Sequence, residues 1–105
     1  LPSPLVFGAI ISDHHNFDHR QMQRATWIGQ LSEYSMEYMF FLGLGESNDT
    51  FVPSDVASLD VVTLDVDDVY GNLALKVLRT MAWALHHVEF EYFMKVDEDV
   101  YMRIE

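Results

Sequence analysis

Three consecutive carboxylates, Asp97, Glu98 and Asp99, close a strand-like segment running from Phe90 to Val96. Hard divalent cations such as Mg2+ and Mn2+ take oxygen ligands, often one or two carboxylates completed by phosphate and water. In extended backbone, alternate side chains share a face, so Asp97 and Asp99 point one way and Glu98 the other. A nucleotide diphosphate is repelled by carboxylates and sits beside them only across a bridging cation. Such a cation also stabilises charge on a departing diphosphate, as a Lewis acid. Taken alone, the triplet has equally the composition of a solvated surface turn. It is not an EF-hand, because Met102 stands where that loop needs glycine.

Other residues carry chemistry at useful spacing. Arg20 and Arg24 lie one helical turn apart, and guanidinium groups suit phosphates as well as carboxylates. Lys95 shares a strand face with Asp97 and either offsets the local negative charge or forms a salt bridge. Lys76 either pairs with an acid or approaches an anionic ligand. Asp68 stands at a helix start, where a carboxylate suits the helix dipole. His14, His15, His19, His86 and His87 do not form a zinc pattern, since adjacent histidines diverge on a helix. No cysteine is present, which removes disulfides, thiolate metal sites and a cysteine nucleophile from this segment.

The elements that must position these groups alternate between strand and helix. Leu5 to Ile11 is an apolar run bounded by Pro4 and Ser12, as expected of a strand buried on both faces. Phe17 to Gly29 reads as a helix, Tyr38 to Leu42 as a strand ended by Gly43, and Val61 to Leu64 as a third strand. Tyr70, Leu73, Ala74, Val77, Leu78, Met81 and Leu85 recur at three- and four-residue spacing, the period of an amphipathic helix. The pattern is α/β, with a mostly parallel sheet flanked by helices. In such sheets ligands bind beyond the carboxyl ends of the strands, where the acidic triplet stands.

Four blocks, in order, carry a family resemblance. Tyr92 to Met102, with Lys95, Asp97 and Asp99 at matching places, resembles the metal-binding segment of the β-1,3-galactosyltransferase family. Asp65 to Leu78 resembles its Asp-x-x-Asp-x-Tyr-x-Asn-Leu-Thr-x-Lys helix, with Ala74 in place of Thr. Arg20 to Trp27 resembles its Arg-x-x-x-Arg-x-Thr-Trp motif, and Phe41-Leu42-Gly43 its strand end. The resemblance implies a GT-A-type, Rossmann-like domain, of which residues 1–105 form the donor-binding half. It implies a UDP-sugar held with Mn2+ or Mg2+ on Asp97 and Asp99. Arg20, Arg24, Asp68, Lys76, Lys95, Asp97 and Glu98 are then the residues expected around the UDP-sugar. The implied reaction is inverting transfer of galactose or an N-acetylhexosamine to a 3-hydroxyl of a glycan or glycoprotein acceptor. The base that activates the acceptor is expected beyond Glu105. The implied location is the lumenal side of the Golgi membrane, through an anchor outside this segment.

Composition limits the alternatives. Seventeen acids against six Lys and Arg give a formal net charge of −11. That disfavours nucleic acid, whose phosphates need clustered cations, and it repels anionic lipid. Half the residues are hydrophobic, which suits a packed core. Asn48-Asp49-Thr50 is a glycosylation sequon, in keeping with a secretory protein. Two readings stand beside the transferase: a non-catalytic truncated fragment, and an acidic α/β binding module whose triplet is a surface turn.

Overall fold

The computed structural model describes residues 5–13, 15–29, 36–44, 55, 57–67 and 70–97. Strand β1 (Val6–Ile11) leads to helix α1 (Phe17–Ala25), then to strands β2 (Met36–Leu42) and β3 (Val61–Thr63). A 3-10 turn (Tyr70–Asn72) enters helix α2 (Leu73–His87), and strand β4 (Tyr92–Asp97) follows. The strands form one all-parallel sheet in the order β3-β2-β1-β4. Each predicted strand is present, shifted at its ends by two residues or fewer.

Strand order explains the two layers of helix. The chain leaves β1 toward β2 and later returns from β3 to β4 on the far side of β1. Right-handed crossovers in opposite directions place α1 and α2 on opposite faces of the sheet. The core divides accordingly. Phe7, Ala9, Ile11 and Phe41 pack with Ala84 and Trp83 of α2. Ile10, Phe40, Leu42 and Val96 pack with Trp27 and Ile28, which follow α1. β1 contributes to both clusters, the physical meaning of its unbroken apolar run.

The first helix stops at Ala25, four residues short of the expected Gly29. Thr26 turns back on the helix: its hydroxyl donates to the carbonyl of Met22 at 2.7 Å and its amide to that of Gln23. The chain thereby swings Trp27 and Ile28 into the sheet, where both are buried. The second helix begins only at Leu73, so no acid stands in its first turn.

The face that α2 presents to the sheet differs from its apolar stripe. Lys76, Thr80 and Ala84 are its buried residues. Leu78 and Leu85 are 64% and 74% exposed, and Leu73, Leu75 and Met81 are exposed beside them. The small side chains of Thr80 and Ala84 let the helix approach the sheet closely. The Thr80 hydroxyl is satisfied within the helix, donating to the Lys76 carbonyl at 2.8 Å. Periodicity thus located the helix correctly but did not select its packed face.

Candidate functional site

In the order β3-β2-β1-β4, the connection from β1 to β2 and the connection from β3 to β4 run in opposite directions across the sheet. The carboxyl ends of β1 and β4 therefore flank the topological switch point, where open α/β sheets bind ligands. Ile11 is the register partner of Asp97. Asp97 thus ends β4 beside the point where β1 passes into Ser12 and Asp13. Its side chain is 62% exposed, and Oδ1 accepts a 3.1 Å hydrogen bond from Lys95 Nζ. Lys95 and Asp97 share a strand face, as alternation requires, and of the two alternatives for Lys95 a salt bridge is present, with Asp97 as its partner. An exposed, oxygen-donor carboxylate at this position fits a hard divalent cation, with the Lys95 ammonium competing for one of its oxygens. Asp68, Glu98, Asp99 and the sequon at Asn48 lie outside the described residues.

Two buried cations reach the turn after β1 from opposite faces of the sheet. From α2, Lys76 Nζ donates to the Ser12 carbonyl at 2.5 Å. From α1, Arg20 Nη1 donates to Ser12 Oγ at 2.9 Å and to the Asp13 carbonyl at 2.7 Å. The remaining edge of the Arg20 guanidinium pairs with Asp55, through Nε to Oδ2 at 2.8 Å and Nη2 to Oδ1 at 2.9 Å. Arg20 is 0% exposed. The turn itself is closed locally: Asp13 Oδ1 accepts from the His15 amide at 2.8 Å, and the Asp13 carbonyl from the Asn16 amide at 3.1 Å. Gln23 of α1 extends across to β4, its Nε2 lying 3.5 Å from the Asp97 carbonyl.

Arg24 is engaged elsewhere. It forms a bidentate pair with Asp60, at 2.8 and 3.0 Å, and a further bond to Asp55 at 3.0 Å. Its guanidinium carbon also sits 4.7 Å from the centre of the Phe40 ring. Asp60 immediately precedes β3 and accepts a 2.7 Å bond from the Tyr38 hydroxyl near the start of β2. Arg24 is therefore held between Asp55, Asp60 and the Phe40 ring, over β2 rather than at the turn after β1. Of the two arrangements open to these arginines, the ion-paired one is present.

The network sets its own protonation. Burial pushes the Asp55 carboxyl up, but hydrogen bonds from Arg20 and Arg24 outweigh it and hold it below the usual carboxylate range. Burial likewise raises Asp60, and its bonds from Arg24 and Tyr38 bring it below the usual range. Burial, reinforced by Asp60, pushes the Tyr38 hydroxyl well above the ordinary tyrosine value. All three remain in the forms that the hydrogen bonds need at neutral pH.

A sequence model of the family described as galactosyltransferase matches residues 18–105. The chain belongs to the galactosyltransferase family. Among individual proteins, it is 29% identical over 108 residues to β-1,3-galactosyltransferase 5 of Mus musculus, covering 96% of this chain and 35% of that one. It is 29% identical to β-1,3-galactosyltransferase 1 of Homo sapiens, covering 97% of this chain and 33% of that protein. A lactosylceramide 1,3-N-acetyl-β-D-glucosaminyltransferase B of Danio rerio is 29% identical over 113 residues, 29% of its length. This galactosyltransferase-family chain spans about a third of the length of the curated relatives it matches. Among its described residues, no helix is long and apolar enough to cross a membrane.

Sequence reasoning alone missed Asp55, Asp60, Tyr38 and Ser12. Asp55 lies 35 positions from Arg20 and has no periodic or motif relation to it. Ser12 read only as a strand boundary.

Proposed function

We propose that the crevice between the carboxyl ends of β1 and β4 binds the diphosphate of a UDP-sugar through Mn2+ or Mg2+ held by Asp97 and Asp99. In this reading the chain is the donor-binding part of a β-1,3-glycosyltransferase, which moves galactose or an N-acetylhexosamine to a 3-hydroxyl of a glycan acceptor. The observation that carries the reading is the position of Asp97, exposed and at the switch point beside the end of β1. Family membership and relatives named as β-1,3-galactosyltransferases support the reaction class. A bound cation supplies Lewis-acid stabilisation of the diphosphate.

The chain's own residues have separate tasks. Asp97 offers a carboxylate oxygen, and Asp99 is the proposed second one. Glu98, between them, adds charge. Lys95 neutralises Asp97 and would yield that carboxylate oxygen to a bound cation. Lys76 brings a positive charge to the end of β1, favourable to an anionic ligand. Attack by the acceptor needs a base that deprotonates its hydroxyl, proposed to lie in the part of the fold outside the matched third. A lumenal Golgi setting, implied by the family resemblance, is proposed for this chain as well.

Calorimetry of UDP with and without Mn2+, on the unmodified chain and on Asp99→Ala, tests the reading. Binding is expected with metal only, and Asp99→Ala is expected to weaken it at least about tenfold, or 1.4 kcal/mol. Equal affinity in all four titrations would remove the metal bridge.

A further inference from the structure

Arg20 is placed to do something other than touch a ligand. Its guanidinium is completely buried, so its charge requires a partner and its N–H groups require acceptors. Asp55 answers the first need through a bidentate pair. Ser12 Oγ and the Asp13 carbonyl answer the second, and both belong to the turn by which the chain leaves β1. Four directed bonds from one rigid, planar group fix the turn relative to Asp55, on the connection between β2 and β3. Lys76 fixes the same turn from the opposite face. Ser12 is itself 1% exposed, so it transmits position without meeting solvent or ligand.

We propose that Arg20, anchored on Asp55, is a positioning residue: it holds the Ser12–Asp13 turn as the fixed lip of the crevice whose other lip is Asp97. The inference rests on the nucleotide reading of that crevice for its consequence, and on geometry alone for the turn. Sites built to bind must hold their groups within roughly 0.5 Å. A turn released from the guanidinium loses the two bonds that hold it from the α1 face. Lysine at position 20 keeps the charge but loses the planar fork that reaches Asp55 and the turn together. Ser12→Ala removes one link between Arg20 and the turn and leaves the Arg20–Asp55 pair whole. It tests the same idea at a smaller cost to folding than breaking the ion pair.

The experiment has two independent readouts on the full chain. The first is NMR-detected amide exchange, which needs no ligand. In Arg20→Lys and in Ser12→Ala, the His15 and Asn16 amides, whose acceptors are on Asp13, are expected to exchange at least about tenfold faster relative to the Ile10 and Phe41 amides. The second is UDP affinity with Mn2+, expected to fall about tenfold for the folded protein in both variants. If Arg20 only stabilised the core, all amides would accelerate together and affinity would not change; that result overturns the proposal. If the unmodified chain binds no UDP, the nucleotide reading fails by itself, and the relative exchange rates still decide whether Arg20 positions the turn.

Discussion

Replacing Asp55 by alanine should be among the most damaging single changes in this chain. The Arg20–Asp55 pair has side chains 0% and 3% exposed, so water cannot compensate a lost partner. Asp55→Ala leaves the Arg20 charge facing only the neutral oxygens of Ser12 and Asp13, and also removes one bond to Arg24. Breaking a buried pair from one side costs about 3–5 kcal/mol. A domain of this size is typically stable by about 5–15 kcal/mol, so roughly a fifth or more is at stake. Asp60→Ala is the internal comparison: its pair with Arg24 has side chains 20% and 21% exposed, and solvent screens it. Its expected cost is about 1 kcal/mol, allowing for the lost Tyr38 bond. Urea unfolding followed by tryptophan fluorescence reports on both faces of the sheet, because Trp27 and Trp83 lie in different core clusters. With a slope of about 2 kcal/mol/M, the Asp55→Ala midpoint should drop by about 1.5–2.5 M and that of Asp60→Ala by about 0.5 M. The double variant Arg20→Met, Asp55→Leu should recover much of the loss, since it leaves no charge unpaired. Equal midpoints for the two alanine variants would refute the claim that burial makes the difference.

The remaining expectations concern charge and the exposed helix. Asp55 and Asp60 sit below the usual carboxylate range, so their contribution is complete above about pH 4 and is lost as pH falls through their folded values. Tyr38 is raised, so its contribution is complete below about pH 10 and is lost as pH rises further. Midpoints measured from pH 2.5 to 11 should fall at both ends, and Asp60→Asn should flatten both; a flat profile in the unmodified chain contradicts the network. Lys95→Met frees Asp97 Oδ1 and removes a competing ammonium, so Mn2+ titration should show affinity raised a few-fold; weaker binding would mean that Lys95 helps hold the metal site. Leu85→Lys should leave the unfolding free energy within about 0.5 kcal/mol of the original, while Ala84→Leu, one residue earlier and fully buried, should cost about 1–3 kcal/mol. The opposite ranking would mean that α2 packs by its leucine stripe after all.

That helix also shows how far a sequence speaks. Hydrophobic runs locate strands because a buried strand needs apolar side chains on both faces, and β1 obeys that rule. The period of α2 is equally plain, yet its packed side consists of Lys76, Thr80 and Ala84, chosen by close approach and by a carbonyl waiting at Ser12. Asp97 was legible because its position at a strand end is a property of order along the chain. The company of Arg20 was not. Two guanidinium groups one turn apart look the same whether they await a phosphate or grip a carboxylate 35 positions away. Only the folded connection between β2 and β3 brings that carboxylate to them.

The position of β1 at the middle of the sheet carries a consequence for how the chain is made. Among the described strands β1 is the first to emerge from the ribosome, and its neighbour β4 is the last of them, with Val6 lying against Tyr92. At about 5–20 residues per second, Asp97 is added roughly 3 to 11 s after Leu42 completes β2. Throughout that interval one edge of β1 has no strand beside it, with Phe7, Ile10 and Ile11 available to any sticky neighbour. Over this stretch the nascent chain is therefore most vulnerable to mispairing before Asp97 is translated, and chaperone occupancy should be densest there.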